Sequence, residues 1–182
     1  MKPQIGIIEK NRAAVAQVLS KVLSDATIIH VKTKNAHWNL EGVHFYEKHT
    51  FFDIQIHQLA EIIDKVAERI RMIGHYAPAT LKEYLELTQL TEKSSKNNDC
   101  QGFIKELLGD HEAIIIHLRE NILPFGDTFK DFGSADFITG MMEEHEKMAW
   151  FLRSHLSDTQ TREDLYSESM SHSSNNIHHI KE

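Results

Sequence analysis

Apolar residues in this chain return at three- and four-residue steps over long stretches that neither proline nor glycine interrupts, a pattern that admits helices and excludes alternating strands. From Ile8 to Ala36 the series Val15, Val18, Leu19, Val22, Leu23, Ile29 predicts a first long helix. Trp38 to Gly42 reads as a turn. From about His44 to Ile73 the series Phe52, Ile56, Leu59, Ile63, Val66, Ile70 predicts a second helix, stopped by Gly74. Thr80 and Glu83 bracket LKEYLEL as a capping box, with Pro78 before it, so a short helix is expected in the connection that follows. Ser94 to Asp99 reads as a loop leading into a third long helix, Phe103 to Leu123, ended by Pro124. After a loop from Phe125 to Gly133, Ser134 and Asp136 are expected to open a fourth helix that ends near Leu156. The fold class is all-α, a four-helix bundle whose long connection lets the second and third helices run parallel. Residues 1–156 form the folded domain in this reading. Residues 157–182, rich in Ser, Asn and charge, are expected to be a disordered, His-containing acidic tail of net charge −3 with histidines neutral.

The second helix concentrates chemistry. Between His37 and Glu68 lie imidazoles or carboxylates at His37, His44, His49, Asp53, His57, Glu61, Asp64 and Glu68. His49 and Asp53 are four residues apart, as are Asp64 and Glu68, so each pair lies on one helix face within reach of a metal ion. Asp53 and Asp64 are separated by roughly 16 Å of helix, too far to share one ion. Each pair is therefore half of a site, and a second copy of the helix, antiparallel and related by a two-fold axis, would complete two equivalent sites. At about 100° per residue, His49, Asp53, Asp64 and Glu68 stand at roughly 0°, 40°, 60° and 100°, the common quadrant that a shared interface requires. The competing reading is a solvated face whose carboxylates pair with Lys65, Arg69 and Arg71.

Imidazole with carboxylate suits iron(II), zinc or manganese, and without usable thiolates neither iron–sulfur nor Cys-type zinc sites are expected. An intrachain di-iron site would need Glu-x-x-His on two helices, and the sequence lacks that pattern. In Asp110-His111 and Glu144-His145 the neighbours are adjacent, so their side chains diverge.

Among 182 residues, 41% hydrophobic and 26% charged, a lone Cys100 excludes an intrachain disulfide framework and fits a reducing compartment. No apolar run of the roughly 18 residues of a membrane span is evident, and MKPQIGIIEKNR carries no signal of secretion. The formal charge of −7 argues against general affinity for nucleic acid or anionic membrane. Thirteen histidines make metal binding or a pH response worth testing.

HWNLEGVHFYEKHTFFD, followed after ten residues by DKVAER, resembles the signature of the Dps family, the mini-ferritins. The similarity extends through the short helix to SADFITGMMEEHEKMAWFLR, covering about residues 8–156. What the resemblance implies is a ferritin-like bundle in a hollow dodecamer that oxidises iron(II), preferentially with hydrogen peroxide and otherwise with dioxygen, and stores the ferric mineral. Its ligands would be His37, His49 and Asp53 from one chain with Asp64 and Glu68 from its partner. Zinc is a competitor that such a ligand set admits. Trp38 matches the aromatic residue beside the family's centre, where electron transfer is its implied role. Asp127, Asp131 and Asp136 fall where relatives place acidic pore residues for ion entry. The resemblance also implies a bacterial cytoplasmic protein protecting against oxidative damage. The family's alternative role, condensing DNA at the nucleoid, usually depends on a Lys/Arg-rich arm. Here only Lys2 precedes the first helix and the tail is acidic, which argues against DNA binding at neutral pH.

Overall fold

The computed structural model describes residues 3–92 and 100–176, with side chains to residue 156. Five helices follow in order: α1 (Glu9–Asn39), α2 (Phe45–Met72), α3 (Leu81–Leu87), α4 (Cys100–Leu123) and α5 (Phe132–Asn176), with a π-helical turn, Pro124–Thr128, between the last two. No strand occurs among the described residues.

Side-chain ties between helices set the topology. On α1 and α2, His37 meets His49 at one end and Arg12 reaches the Ile73 carbonyl at the other, so the pair is an antiparallel hairpin. Asp25 of α1 accepts from Thr88, just after α3, and Lys32 of α1 pairs with Glu106 and Asp110 of α4. Along α4 and α5, Glu112 meets Arg153 and Arg119 meets Glu146, again antiparallel. Gln55 reaches the Met148 carbonyl and Arg69 reaches Ser134, which makes α2 and α5 antiparallel too. It follows that α2 and α4 run parallel, as the long crossover requires.

The apolar stripes of the four long helices close on one core, in which Leu19, Ile29, Phe52, Leu59, Val66, Ile70, Ile104, Leu118, Phe125, Ile138 and Leu152 are inaccessible or nearly so. Helix α1 contains an 18-residue window apolar enough to cross a membrane by length and composition, which the sequence reading did not anticipate. Most of that window is buried within the bundle, so it marks a core helix.

Gly74 closes α2 at φ +94°, with Pro3 2.6 Å and the Arg12 guanidinium 2.8 Å from where a Cβ would stand, so backbone and space both demand glycine. The capping box at Thr80 and Glu83 forms as expected. The fourth long helix departs from expectation at both ends. Its cap is Asp131, whose Oδ1 accepts from the Ser134 amide at 2.9 Å, so Ser134 and Asp136 lie inside the helix. At the other end α5 runs past Leu156 to Asn176. No proline or glycine lies between those residues, and the backbone ladder continues although the apolar period stops. Residues 177–182 of the expected tail, and the expected loop from Ser94 to Asp99, lie outside the described residues.

Candidate metal centre

His37 occupies the last turn of α1 and His49 begins the second turn of α2, and the Gly42 turn at φ +103° folds one over the other. Their rings stack with centroids 3.7 Å apart and planes at 19°. Each is tied to the other's backbone: His37 Nδ1 lies 3.0 Å from the His49 carbonyl oxygen, and His49 Nδ1 lies 2.9 Å from that of His37. A carbonyl only accepts, so both Nδ1 atoms carry the proton and both Nε2 atoms keep a lone pair on the far side of the ring. Phe45 covers His49 from the other side at 5.2 Å. Both rings are thus held in fixed orientation by backbone carbonyls, with Nε2 turned outward.

Asp53 follows one turn after His49 and is exposed. Asp64 and Glu68 are exposed further along α2, and the rise of the helix holds them roughly 16 Å and 22 Å from Asp53. Among the described residues, no group of three or more His, Cys, Asp or Glu converges within one chain. The candidate residues therefore fall into two separate groups, His37, His49 and Asp53 near the α1–α2 turn and Asp64 with Glu68 further along α2.

The cations that a solvated face would use are engaged elsewhere. Lys65 pairs with Glu144 at 3.3 Å, Arg69 with Asp131 at 3.0 Å, and Arg71 donates to the His75 carbonyl while stacking over Tyr76. The pairings of Lys65 with Glu144 and of Arg69 with Asp131, each more than sixty residues apart, are not readable from sequence.

Trp38, beside His37, is 69% exposed and lines a groove of about 530 Å³ with Ile28, Val31, Leu81, Tyr84 and Leu85. Asp127 lies exposed in the π-helical turn and Asp136 exposed in α5, whereas Asp131 is 2% exposed and occupied by its cap and Arg69. The adjacent acid–His pairs divide: Asp110 joins Lys32 and Glu144 joins Lys65, while His111 and His145 meet in the core. His57 escaped the sequence reading as a candidate. Its Nδ1 lies 2.8 Å from the Asp53 carbonyl oxygen, and only its four-residue spacing from Asp53 and Glu61 hinted at this.

The ferritin-like domain family matches residues 16–161. DNA protection during starvation protein 2 of Bacillus anthracis, a Dps protein, is 32% identical over 143 residues, spanning 79% of this chain and 97% of that protein. The chain belongs to the Dps family. A low temperature-induced protein of Nostoc sp. strain PCC 7120 is 39% identical over 150 residues, 82% of this chain and 84% of that one. Among solved structures, DpsC from Streptomyces coelicolor superposes with a TM-score of 0.81 at 27% identity, covering 86% of this chain and 90% of its own. The Dps bundle thus accounts for the α1–α2 hairpin, the crossover with α3 and the α4–α5 pair.

Proposed function

We propose that this Dps-family protein is a ferroxidase and iron store, protecting a bacterial cytoplasm by removing iron(II) and hydrogen peroxide together. Iron is its substrate. In a hollow dodecamer, two-fold interfaces would bring His37, His49 and Asp53 of one chain against Asp64 and Glu68 of the partner subunit. What supports the reading is a ligand arc without its neutralising cations: imidazoles preset with Nε2 outward, and Asp64 and Glu68 deserted by Lys65, Arg69 and Arg71.

Two iron(II) ions each give up one electron. The O–O bond of peroxide accepts the pair and breaks, and with two protons the oxygens leave as two waters. Carboxylate oxygens favour iron(III) over iron(II), so the ligand set pulls the reaction toward the oxidised ion. The same donors would accept zinc, which competes without reacting. In this reading Trp38, next to His37 in sequence, is an electron donor, and the exposed Asp127 and Asp136 guide cations inward, whereas Asp131, buried as the α5 cap and paired with Arg69, drops out of the expected pore set.

The test is Asp64→Ala with Glu68→Ala. An assembled double variant should lose most peroxide-driven iron(II) oxidation, followed by ferric absorbance, because each centre loses both carboxylates that the partner subunit supplies. Native kinetics in an intact oligomer would remove both residues from the mechanism.

A further inference from the structure

The face of α2 that carries the ferroxidase ligands also carries two residues that the ferroxidase does not use. His57 follows Asp53 by one turn and precedes Glu61 by one turn, and all three are exposed. The His57 ring is 74% exposed, yet it is oriented: Nδ1 sits 2.8 Å from the Asp53 carbonyl oxygen and 3.9 Å from the Asp53 carboxylate. Because the carbonyl only accepts, Nδ1 holds the proton and Nε2 offers its lone pair away from the helix, as in His37 and His49.

Register then decides what Nε2 meets. An antiparallel pairing that sets His49 against the partner's Glu68, and Asp53 against the partner's Asp64, puts the two-fold axis midway between Gln58 and Leu59. His57 and Glu61 are centred on Leu59, half a residue from that midpoint, so His57 faces the partner's Glu61 with an axial offset of only about 1.5 Å. The two His57 residues come within about 4.5 Å of each other along the helix direction, and the two Glu61 residues within about 7.5 Å. Around the helix, His57 and Glu61 stand roughly 40° and 80° from Asp53, overlapping the arc of Asp64 and Glu68 at roughly 20° and 60°. Ala60, exposed and small, lies as near the axis along the helix as His57 and offers no bulk against close approach of the helices. No Lys or Arg occurs on α2 between Lys48 and Lys65 to neutralise the carboxylates gathered there.

We propose that each two-fold interface holds a transition-metal site midway between its two ferroxidase centres, formed by His57 and Glu61 of both chains. Two imidazole nitrogens and two carboxylate oxygens suit tetrahedral zinc, cobalt(II) or iron(II), whereas calcium and magnesium ask for all-oxygen shells. The site rests on the two-fold register of the proposed ferroxidase. A cation there neutralises the two Glu61 carboxylates across the axis and gives iron(II) a stopping point between the oxidising centres.

The experiment is a cobalt(II) titration of the full-length, assembled, metal-stripped protein carrying Asp64→Ala and Glu68→Ala. One cobalt per pair of chains should bind with the strong visible absorption of a tetrahedral ion. Adding His57→Asn should weaken that binding by about tenfold or more. Asparagine keeps an N–H for the Asp53 carbonyl and removes only the outward donor. Glu61→Gln, nearly isosteric, should do the same. Equal stoichiometry and spectrum with and without His57→Asn or Glu61→Gln would overturn the site, as would the absence of tetrahedral cobalt. If Asp64→Ala/Glu68→Ala slows iron oxidation while the cobalt result is negative, only this site falls. If that double variant oxidises iron at the native rate, the register falls and takes the site with it.

Discussion

His111 and His145 meet Nδ1 to Nδ1 at 2.9 Å, both wholly buried where α4 packs on α5. One ring must donate and the other accept, so the two Nδ1 atoms carry one proton between them. Burial holds His145 down at about 4 from an ordinary 6.5. Burial, with the neighbouring His145 second, holds His111 well below the same value.

Acid should therefore attack this core. Above pH 6.5 folded and unfolded chains both keep these rings neutral, and the stability is complete. As pH falls from 6.5 toward about 4, the unfolded chain binds protons that the folded core refuses, and stability drops; below about 4 the His145 contribution to the slope ends. For His145 alone the loss amounts to about 3 kcal/mol. Asp25 and Asp110, whose carboxyls burial raises, act in the opposite sense and offset part of it. Thermal midpoints between pH 7.5 and 4.5 should fall less steeply in His111→Gln/His145→Gln than in the native chain. Parallel profiles would exclude the pair as the cause.

Shared sites can be rebuilt from two defective chains. His37→Ala/His49→Ala and Asp64→Ala/Glu68→Ala proteins should each be inactive in iron oxidation. Unfolded together and reassembled, they should regain part of the activity, because each mixed pair restores one intact centre. Demonstrably mixed oligomers with no recovery would point to an intrachain site.

Lys32 is the buried counter-ion of α4, 2.8 Å from Glu106 and 2.5 Å from Asp110. Lys32→Met should destabilise the bundle by about 3–5 kcal/mol, because two carboxylates lose their compensating charge. Adding Glu106→Gln and Asp110→Asn should recover much of the thermal midpoint, and a triple variant no better than the single would contradict this account.

Asp131 accepts from Arg69, the Ser134 amide and the Ser134 hydroxyl. Asp131→Ala should cost about 2 kcal/mol through the lost cap and the stranded guanidinium. Asp127→Ala and Asp136→Ala, at exposed positions, should stay within about 0.5 kcal/mol of native. If these two line an ion entrance, they should slow iron uptake at unchanged stability, which stopped-flow oxidation and thermal melts separate.

With a formal charge of −7, the chain should not retard plasmid DNA at pH 8 in the absence of divalent cations. Strong, salt-sensitive retardation would reveal a basic surface on the assembled oligomer.

The α1–α2 hairpin, the short α3 with its Thr80–Glu83 box and the stop at Gly74 were all legible in sequence. Each rests on spacing or on backbone chemistry within a few residues. The start of α5 was misplaced because Asp131, Ser134 and Asp136 are all plausible caps, and Arg69, far away in sequence, belongs to the Asp131 cluster. Its extension to Asn176 was missed because an apolar period marks packing, while a backbone ladder needs only the absence of a breaker.

By itself the sequence determined four long helices and the single arc of α2 that carries His49, Asp53, Asp64 and Glu68, since both follow from a period set by local backbone geometry. Only the tertiary structure decided which nitrogens of His37, His49 and His57 stay open, where Lys65, Arg69 and Arg71 point, and that His111 and His145 share a proton in the core. Tautomer and counter-ion are chosen by whichever group the fold brings near, and for most of these residues that group lies more than ten positions away along the chain.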